Sequence, residues 1–299
     1  MRLTVGEFGR LLKKTFKVWN AKDPFRESAV IAYYALFSIP ALIVIVISVA
    51  GLFFEKEIIS GYLYTQIGMT MGTSTAEEVR QMVIKTANTG QSLLATIIGI
   101  VVLLVGATGV FAQLQKSLNI IWEVKADPKK ENFLHTLRIR LFSFGLIISI
   151  GFLLLISLVA TSIVTAIGEH LKAAIPEVMM IVFYIVNVVV SFVLIAVLFA
   201  LMFKVLPDVD LEWRSVRVGA VMTAVLFLIG KFGLAIYFGT TDQISVYGPA
   251  GSVVLLLLWV SYSSMIVFFG AEFTKIYTNR FYGGATPNDI AQKKPGREH

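Results

Sequence analysis

The sequence has 299 residues, of which 57% are hydrophobic and 15% are charged, whereas an average soluble domain has roughly 45–50% and about 25%. This composition, with a mean hydropathy of +0.79, excludes an ordinary soluble globular protein. The formal charge of +7 comes from Lys and Arg spread over several loops, which argues against a nucleic-acid partner, and the absence of cysteine excludes disulfides and thiol chemistry in this chain.

Residues 1–28 are predicted to form a cytoplasmic amphipathic arm. Apolar side chains recur at helical spacing opposite a basic face; the apolar ones are Val5, Phe8, Leu12, Phe16 and Trp19, and the basic ones are Arg10, Lys13, Lys14 and Lys17. A helix divided in this way lies in the membrane interface and attracts anionic lipid head groups. We therefore expect membrane lipids as partners of this arm.

Six apolar segments are predicted to cross the membrane, because each is near the roughly 20 residues that span about 30 Å of hydrocarbon. They cover residues 29–54, 93–112, 141–165, 178–203, 216–238 and 246–270. The first is far longer than the roughly 7–15 apolar residues of a secretory signal, so it should remain as an anchor. The predicted fold class is an all-α integral membrane protein, with a bundle of about six helices within residues 29–282.

The distribution of basic residues predicts the orientation. The two terminal segments and the loops on the same side of the membrane carry 21 Lys and Arg, and the loops on the opposite side carry 4. Basic loops stay in the cytoplasm, so both termini are expected inside the bacterial inner membrane. On the outer side, the capping-box-like sequence Ser74-Thr75-Ala76-Glu77-Glu78 predicts a small helical cap within 55–92, and the polar residues 283–299 are expected to form a disordered cytoplasmic tail.

Lys231 is the only formally charged residue in the interior of a predicted span, since Arg217 stands at the edge of the span 216–238. An unpaired charge near the bilayer centre costs at least about 2.5–3.5 kcal/mol. Asn187 and Asp242 are candidate partners, and Asp242 is also a candidate coupling residue. Two interpretations stay open: Lys231 snorkels or pairs for structural reasons, or it binds a transported solute or ion.

The start of the sixth predicted span is rich in residues that interrupt helices. It reads Tyr247-Gly248-Pro249-Ala250-Gly251-Ser252. Because Pro lacks a backbone donor and Gly tolerates unusual angles, the helix start either is broken, with amides facing a cavity, or is a capped N-terminus in which Pro is well tolerated.

Pro40 lies near the middle of the first predicted span, after Tyr34 and Ser38. It frees at least one carbonyl of the helix and predicts a kink. The kink either lines a pathway or serves packing, since proline is frequent in spanning helices.

Glu272 closely follows the sixth predicted span. At the inner interface a carboxylate is expected to be solvated or paired with a base such as Lys275, and the alternative is a coupling role in transport.

Five segments along the chain together carry a family resemblance. They are Tyr34-Ala35-Leu36-Phe37-Ser38-Ile39-Pro40, Gln113-Leu114-Gln115, Leu118-Asn119-Ile120-Ile121-Trp122, residues 247–252 with Trp259, and Gly270-Ala271-Glu272. In this order they resemble the YihY or BrkB-like inner-membrane family, once labelled ribonuclease BN, over roughly residues 5–282. Ala41 departs from the second proline that relatives often carry. The resemblance implies a polytopic bacterial plasma-membrane protein, with suggested roles in transport or envelope resistance.

The old ribonuclease label can be tested against the residues. A metal-dependent nuclease needs clustered His and carboxylate ligands, and the histidines, His135, His170 and His299, are placed by the predicted topology on opposite sides or in a tail. The predicted spans also lack paired acids or a positioned base. We expect no enzyme activity, no catalytic residue, no metal site and no cofactor.

Two functions from different classes follow from these patterns. The first is a transporter-like protein that moves a small solute, an ion or a lipid through a cavity near Pro40, Asn187, Lys231 and the 247–252 element. The second is a non-transporting envelope protein whose basic arm and outer cap recruit lipids or partners. Small-residue helix faces permit self-association, so a homo-oligomer is compatible with either function.

Overall fold

The computed structural model describes residues 5–51, 55–87, 109–126, 177–240, 251–288 and 291–293. The predicted span 141–165, nearly all of the span 93–112, the residues Asp242, Tyr247, Gly248 and Pro249, and all three histidines lie outside the described residues. The side chains of Pro40 and Asn187 are outside the description as well, although both positions belong to helices.

The described chain is mainly helical. Its helices are α1 (Val5–Ala21), α2 (Pro24–Ala50), α3 (Lys56–Met71), α4 (Thr73–Ala87), α5 (109–122), α6 (Glu177–Val205), α7 (Trp213–Thr240) and α8 (Gly251–Phe281). Its strands are β1 (Val124–Ala126), β2 (Val209–Asp210), β3 (Thr286–Pro287) and β4 (Ala291–Lys293). The predicted all-helical class therefore holds apart from these two- and three-residue strands.

Three helices of the described residues are long and apolar enough to cross a membrane: Val188–Val205 in α6, Trp213–Leu234 in α7, and Gly251–Phe281, which is all of α8. They coincide with the last three predicted spans. Helix α2 covers the first predicted span as far as Ala50 and continues through Pro40 as a helix. The count of about six spans stays a prediction.

Helices α6 and α7 expose apolar stripes. On α6 the exposed side chains include Val189, Val193 and Val197, and on α7 they include Val221, Val225, Ile229, Phe232 and Ile236. Residues spaced three or four apart share one face of a helix. Contiguous apolar faces of this kind are rare on soluble monomers and are typical of helices that face lipid.

Helix α8 lies at the centre of the described bundle and packs against α2, α7 and α1. The main core joins α5, α6, α7 and α8, and its fully buried members include Leu118, Phe203, Val216 and Ala271. Helix α8 also extends to Phe281, eleven residues beyond the predicted end of the sixth span at 270. The polar residues after Gly270 suggested an end at the membrane surface, but they continue the helix because they pack against α1 and α5.

Two glycine–threonine contacts bring α7 and α8 close together. A Cβ built on Gly219 would overlap the hydroxyl of Thr274, and a Cβ on Gly270 would overlap the hydroxyl of Thr223. Each threonine donates its hydroxyl to the carbonyl of the glycine four residues earlier, at 2.7 Å. Small residues at membrane-helix contacts allow such close approach.

The predicted N-terminal helix is present as α1, and part of its surface contacts protein. Leu11 is buried against Phe273 and Tyr277 of α8, and Thr15 is fully buried. Phe16, by contrast, is 58% exposed. Leu11 is buried more fully than the apolar face proposed from spacing, because α8 covers that side. The interfacial position of α1 stays a prediction.

Helices α3 and α4 occupy the segment expected to form the cap. They are joined at Gly72, whose φ of 92° lies in the region that favours glycine after a helix. The two helices pack against each other and against α2. Their placement on the outer face stays a prediction.

Part of the C-terminal tail is ordered, unlike the disorder expected for residues 283–299. Strand β3 pairs antiparallel with β2, and β4 pairs antiparallel with β1. The Asn288 amide also donates to the carbonyl of Asp208 at 3.2 Å. The composition of the tail indicated disorder, but two loops offer it backbone partners that composition cannot reveal.

Candidate functional site

A group of charged side chains lies where the α1–α2 turn, the end of α5 and the second half of α8 meet. Four of them form what we call the Glu272 cluster: Lys22, Glu123, Glu272 and Lys275. Each charge comes from a different part of the chain except the last two, which lie three residues apart on α8. The arrangement depends on these segments packing together.

Glu272 is only 1% exposed and pairs with Lys22, whose Nζ lies 2.7 Å from Oε2 of the carboxylate. Lys22 also donates to the carbonyl of Ile121 at 3.0 Å. Burial lowers the pKa of Lys22 from its ordinary value, and the negative charge of Glu272 opposes this shift. The pair thus joins a buried carboxylate to a partly buried ammonium group, where the interaction is strong and the desolvation is costly.

Lys275 forms the second half of the cluster. Its Nζ lies 2.7 Å from Glu123 Oε1 and donates to the same Ile121 carbonyl at 2.9 Å. Glu123 follows the last turn of α5 with a φ of 57°, the left-handed conformation common just after a helix end. Two lysines therefore meet the partial negative charge at the C-terminus of α5, and they tie α5 to α8 and to the α1–α2 turn.

A neighbouring network, the Asp208 cluster, consists of Gln115, Asn119 and Asp208. Asn119 donates from Nδ2 to Asp208 Oδ2 at 2.7 Å and accepts from the Asp208 amide at 2.8 Å. Gln115 donates to the other carboxylate oxygen at 3.2 Å. Asp208 is 6% exposed and lies between α6 and α7, so this network connects that loop to α5.

A small cavity of ≈ 20 Å³, lined by both charged and apolar side chains, adjoins the pair between Lys22 and Glu272. Glu27 also lines it and accepts a hydrogen bond from Ser117 at 2.9 Å. Trp19 also lines the cavity, and its indole nitrogen has no hydrogen-bond partner among the described residues. The volume is near that needed for one water molecule, which is the size of group that this cavity can hold.

A larger groove of ≈ 580 Å³, the α1–α8 groove, opens beside the Glu272 cluster. Its charged lining residues are Glu7, Arg10, Lys14, Glu123, Glu272, Lys275 and Arg280. The apolar side chains of Leu11, Val18 and Ile276 complete part of its wall. The groove therefore combines charged groups with an apolar surface.

The pathway candidates from the sequence lie elsewhere in the bundle. Lys231 is half-buried in α7, next to Gly230, which packs against the Tyr262 hydroxyl of α8. Tyr262 precedes Glu272 by ten residues, or about 15 Å of helix. Gly251 and Ser252 are buried at the start of α8, about 30 Å from Glu272 by the same helical rise. The described structure therefore separates Lys231 and Ser252 from Glu272.

The other described candidates belong to α2. Tyr34 is 43% exposed, whereas Ser38 is fully buried and donates to the Ala35 carbonyl at 3.2 Å. The hydroxyl of Ser38 thus caps a backbone oxygen of its own helix. A side-chain ring atom of Tyr34 lies 3.3 Å from a Cβ built on Gly109 of α5.

Glu272 pairs with a base, which is one of the two arrangements expected for it, but the base is Lys22 and Lys275 pairs with Glu123 instead. The other arrangement, a solvated carboxylate at a helix end, is not found, because Glu272 is buried within α8. Lys22, Glu123 and Asp208 were missed as site residues. The spacing of Gln115 and Asn119 places both on one face of a helix, but nothing local in the sequence connects that face with Asp208.

The long apolar helices α6, α7 and α8, together with the exposed apolar faces of α6 and α7, define the chain as a helical membrane protein. The profile of the family described as Virulence factor BrkB matches residues 15–295, and the chain belongs to this family. This result confirms the resemblance found in the sequence.

Similar proteins carry names consistent with this class. A UPF0761 membrane protein of Vibrio vulnificus is 26% identical over 277 residues, covering 90% of this chain and 82% of that protein. A UPF0761 membrane protein of Tolumonas auensis is 25% identical and covers 86% and 82% of the two chains. One from Vibrio cholerae is 28% identical over 223 residues, with 73% and 68% covered. No solved structure matches the chain.

Proposed function

We propose that this BrkB-family protein is transporter-like and moves a small solute, an ion or a lipid across the bacterial inner membrane, with both termini in the cytoplasm. The observation that supports this proposal is the burial of Glu272, 1% exposed, in a helix long and apolar enough to span a membrane. Ionisable groups in such helices are costly and commonly mark solute, ion or proton pathways.

The energetics of the pair with Lys22 point the same way. Burying each ion costs several kcal/mol of desolvation free energy. Replacement of a buried ion pair by well-packed apolar residues is therefore often neutral or stabilising. Stability alone therefore gives little reason for two buried charges here. A role in which the pair forms and separates during a transport cycle gives a better reason.

The location of the pairs suits a gate. Lys22 joins the α1–α2 turn to α8, and Lys275 joins α5 to the same helix. Alternating access requires elements around a site to part on one side while they close on the other. In the proposed cycle these ion pairs close the cytoplasmic side, and their separation opens it.

Lys231 is the second charged residue of the proposed mechanism. It is half-buried in α7, one residue from the contact between Gly230 and Tyr262. In the proposed pathway Lys231 contacts the solute or its counter-ion, and Glu272 controls access from the cytoplasm. Asp242, Asn187, Pro40 and the 247–252 element remain candidates for the rest of the pathway.

A second function is favoured by one observation on α1. Phe16 is 58% exposed and lies beside the exposed Lys13 and Lys17. An apolar ring among lysines is typical of a helix that lies on an anionic membrane surface. A non-transporting protein that recruits lipids or partners through α1 would need this feature and would not need Glu272 or Lys231.

Flux into proteoliposomes tests the proposal. Purified protein is reconstituted, and the uptake of a solute panel, internal pH and the movement of labelled lipids are measured in parallel. Flux should appear with the unaltered protein and be lost with Glu272→Gln and with Lys231→Met. Glu77→Gln is the matched control, because Glu77 is exposed on α4, and it should retain flux.

Folding must be separated from mechanism in this experiment. Each variant is checked by circular dichroism and size-exclusion chromatography, and the charge-swapped protein with Lys22→Glu and Glu272→Lys restores an ion pair. Under the proposal this swap should recover stability without recovering flux. Absence of flux from folded, unaltered protein for every probe would favour the recruiting function.

A further inference from the structure

The α1–α8 groove has a distinctive arrangement of charge. Glu7, Arg10 and Lys14 lie on one face of α1 at helical spacing, and Arg280 approaches from the last turn of α8. Leu11, Val18 and Ile276 supply apolar wall between these groups. The volume of ≈ 580 Å³ is within the range of small-ligand sites.

The charges of the groove do not balance locally. Two of its carboxylates are already paired, Glu272 with Lys22 and Glu123 with Lys275. In the part of the chain that the structure describes, Arg10, Lys14 and Arg280 have no carboxylate within ion-pair distance. Three cations against the carboxylate of Glu7 leave a positive potential that favours an anion.

We propose that the α1–α8 groove binds a phosphate-bearing anion, either the head group of an anionic phospholipid or a free phosphate compound. Arginine presents a planar fork of donors that matches phosphate oxygens, and lysine adds a flexible point charge. Arg10 and Lys14 hold the phosphate from α1, and Arg280 holds it from α8. The apolar wall accommodates the uncharged part of the ligand.

This inference goes beyond the proposed transport, because binding in the groove requires no flux. It also makes a more specific claim than general attraction of lipids to a basic helix. Lys13 and Lys17 lie on the same helix and are exposed, as Arg10 and Lys14 are, but they do not line the groove. A defined site should depend on Arg10 and Lys14 and should be insensitive to Lys13 and Lys17.

The test compares two double variants of equal charge change. Purified full-length protein in a neutral detergent is titrated with phosphatidylglycerol, with phosphatidylcholine as the zwitterionic control, and binding is measured by native mass spectrometry. The same proteins are titrated with inorganic phosphate and glycerol 3-phosphate by calorimetry. Arg10→Gln with Lys14→Gln should weaken binding by about tenfold or more, since charge-assisted hydrogen bonds are lost.

The control variant, Lys13→Gln with Lys17→Gln, should bind within about threefold of the unaltered protein, as expected when only screened surface charges change. Arg280→Gln removes the cation that α8 contributes to the groove and should weaken binding as well. Binding of phosphatidylglycerol alone assigns the site to a lipid head group, and binding of the soluble phosphates assigns it to a free compound. Equal losses in both double variants, or no preference of the folded protein for any phosphate anion over phosphatidylcholine, would overturn the proposal.

Discussion

At the scale of single residues, the pair between Lys22 and Glu272 carries most of the functional argument, and its energetics can be measured. Glu272 is 1% exposed and Lys22 retains 21% exposure, so removal of Lys22 leaves a carboxylate that water can hardly reach. Removal of both partners leaves no stranded charge. The two cases should therefore differ strongly.

We expect Lys22→Met to destabilise the protein by about 3–5 kcal/mol, the usual cost of breaking a buried pair from one side. The double variant Lys22→Met with Glu272→Gln should recover much of this loss. Apparent melting temperatures in detergent give the comparison, with Lys17→Met as an exposed control on α1. A double variant as unstable as the single one would show that the pair itself stabilises the fold.

The pH dependence of stability follows from the lowered pKa of Lys22. The unfolded chain keeps a proton on Lys22 up to about 10.5, whereas the folded protein releases it at lower pH. Between those two values the unfolded state binds more protons, so the stability contributed by Lys22 rises as the pH rises through the folded pKa. Below the folded pKa this contribution is absent.

The advantage in melting temperature of the unaltered protein over the double variant Lys22→Met with Glu272→Gln should therefore grow between about pH 7 and about pH 10. The double variant lacks the Lys22 amine, and the comparison with it cancels the background from the other lysines and the tyrosines, which both proteins share. A difference that stays constant or shrinks over this range would be inconsistent with a lowered pKa for Lys22.

At the scale of helices, the close contact between α7 and α8 depends on Gly219 and Gly270. A methyl group on Gly219 meets the Thr274 side chain, and that side chain is fully buried. Helix α7 offers an internal comparison, because a Cβ on Gly233 meets nothing within 4 Å. The same chemical change can thus be made in a tight place and in an open one.

Gly219→Ala should destabilise the protein by about 1–3 kcal/mol through overpacking. Gly233→Ala should be neutral or stabilising by up to about 1 kcal/mol, since alanine has the higher helix propensity. Adding Thr274→Ala to Gly219→Ala should recover part of the loss, because the two side chains are in contact. Equal effects of the two glycine substitutions, measured by thermal unfolding, would contradict the close α7–α8 packing.

The positions of helices could be predicted from the sequence more fully than their contacts. Apolar runs predicted α6, α7 and α8, because a spanning helix must be continuously apolar. The end of α8 was placed too early, since residues after Gly270 are polar yet packed against α1 and α5. The partner of Glu272 lies 250 residues away, and such pairing depends on tertiary packing that spacing does not encode.

At the scale of the whole molecule, the C-terminal tail pairs with two loops that are far apart along the chain. Strand β3 pairs with β2 after α6, and β4 pairs with β1 after α5. These contacts place both loops and the tail at the same end of the described bundle as the Glu272 cluster. The count of basic residues independently predicts one common side of the membrane for these segments, the cytoplasmic side, and their packing at one end of the bundle is consistent with a common side.

The topology can be tested with single cysteines, because the natural chain contains none. Lys13→Cys lies on α1 and Gln81→Cys lies on α4, and both positions are exposed. With the outer membrane permeabilised, a maleimide that cannot cross the inner membrane should label Gln81→Cys and leave Lys13→Cys unlabelled. Both should react after the inner membrane is opened, and the cysteine-free protein gives the background. Labelling of both positions from outside would place α1 and α4 on one side, and it would overturn the cytoplasmic assignment of the gate and of the α1–α8 groove.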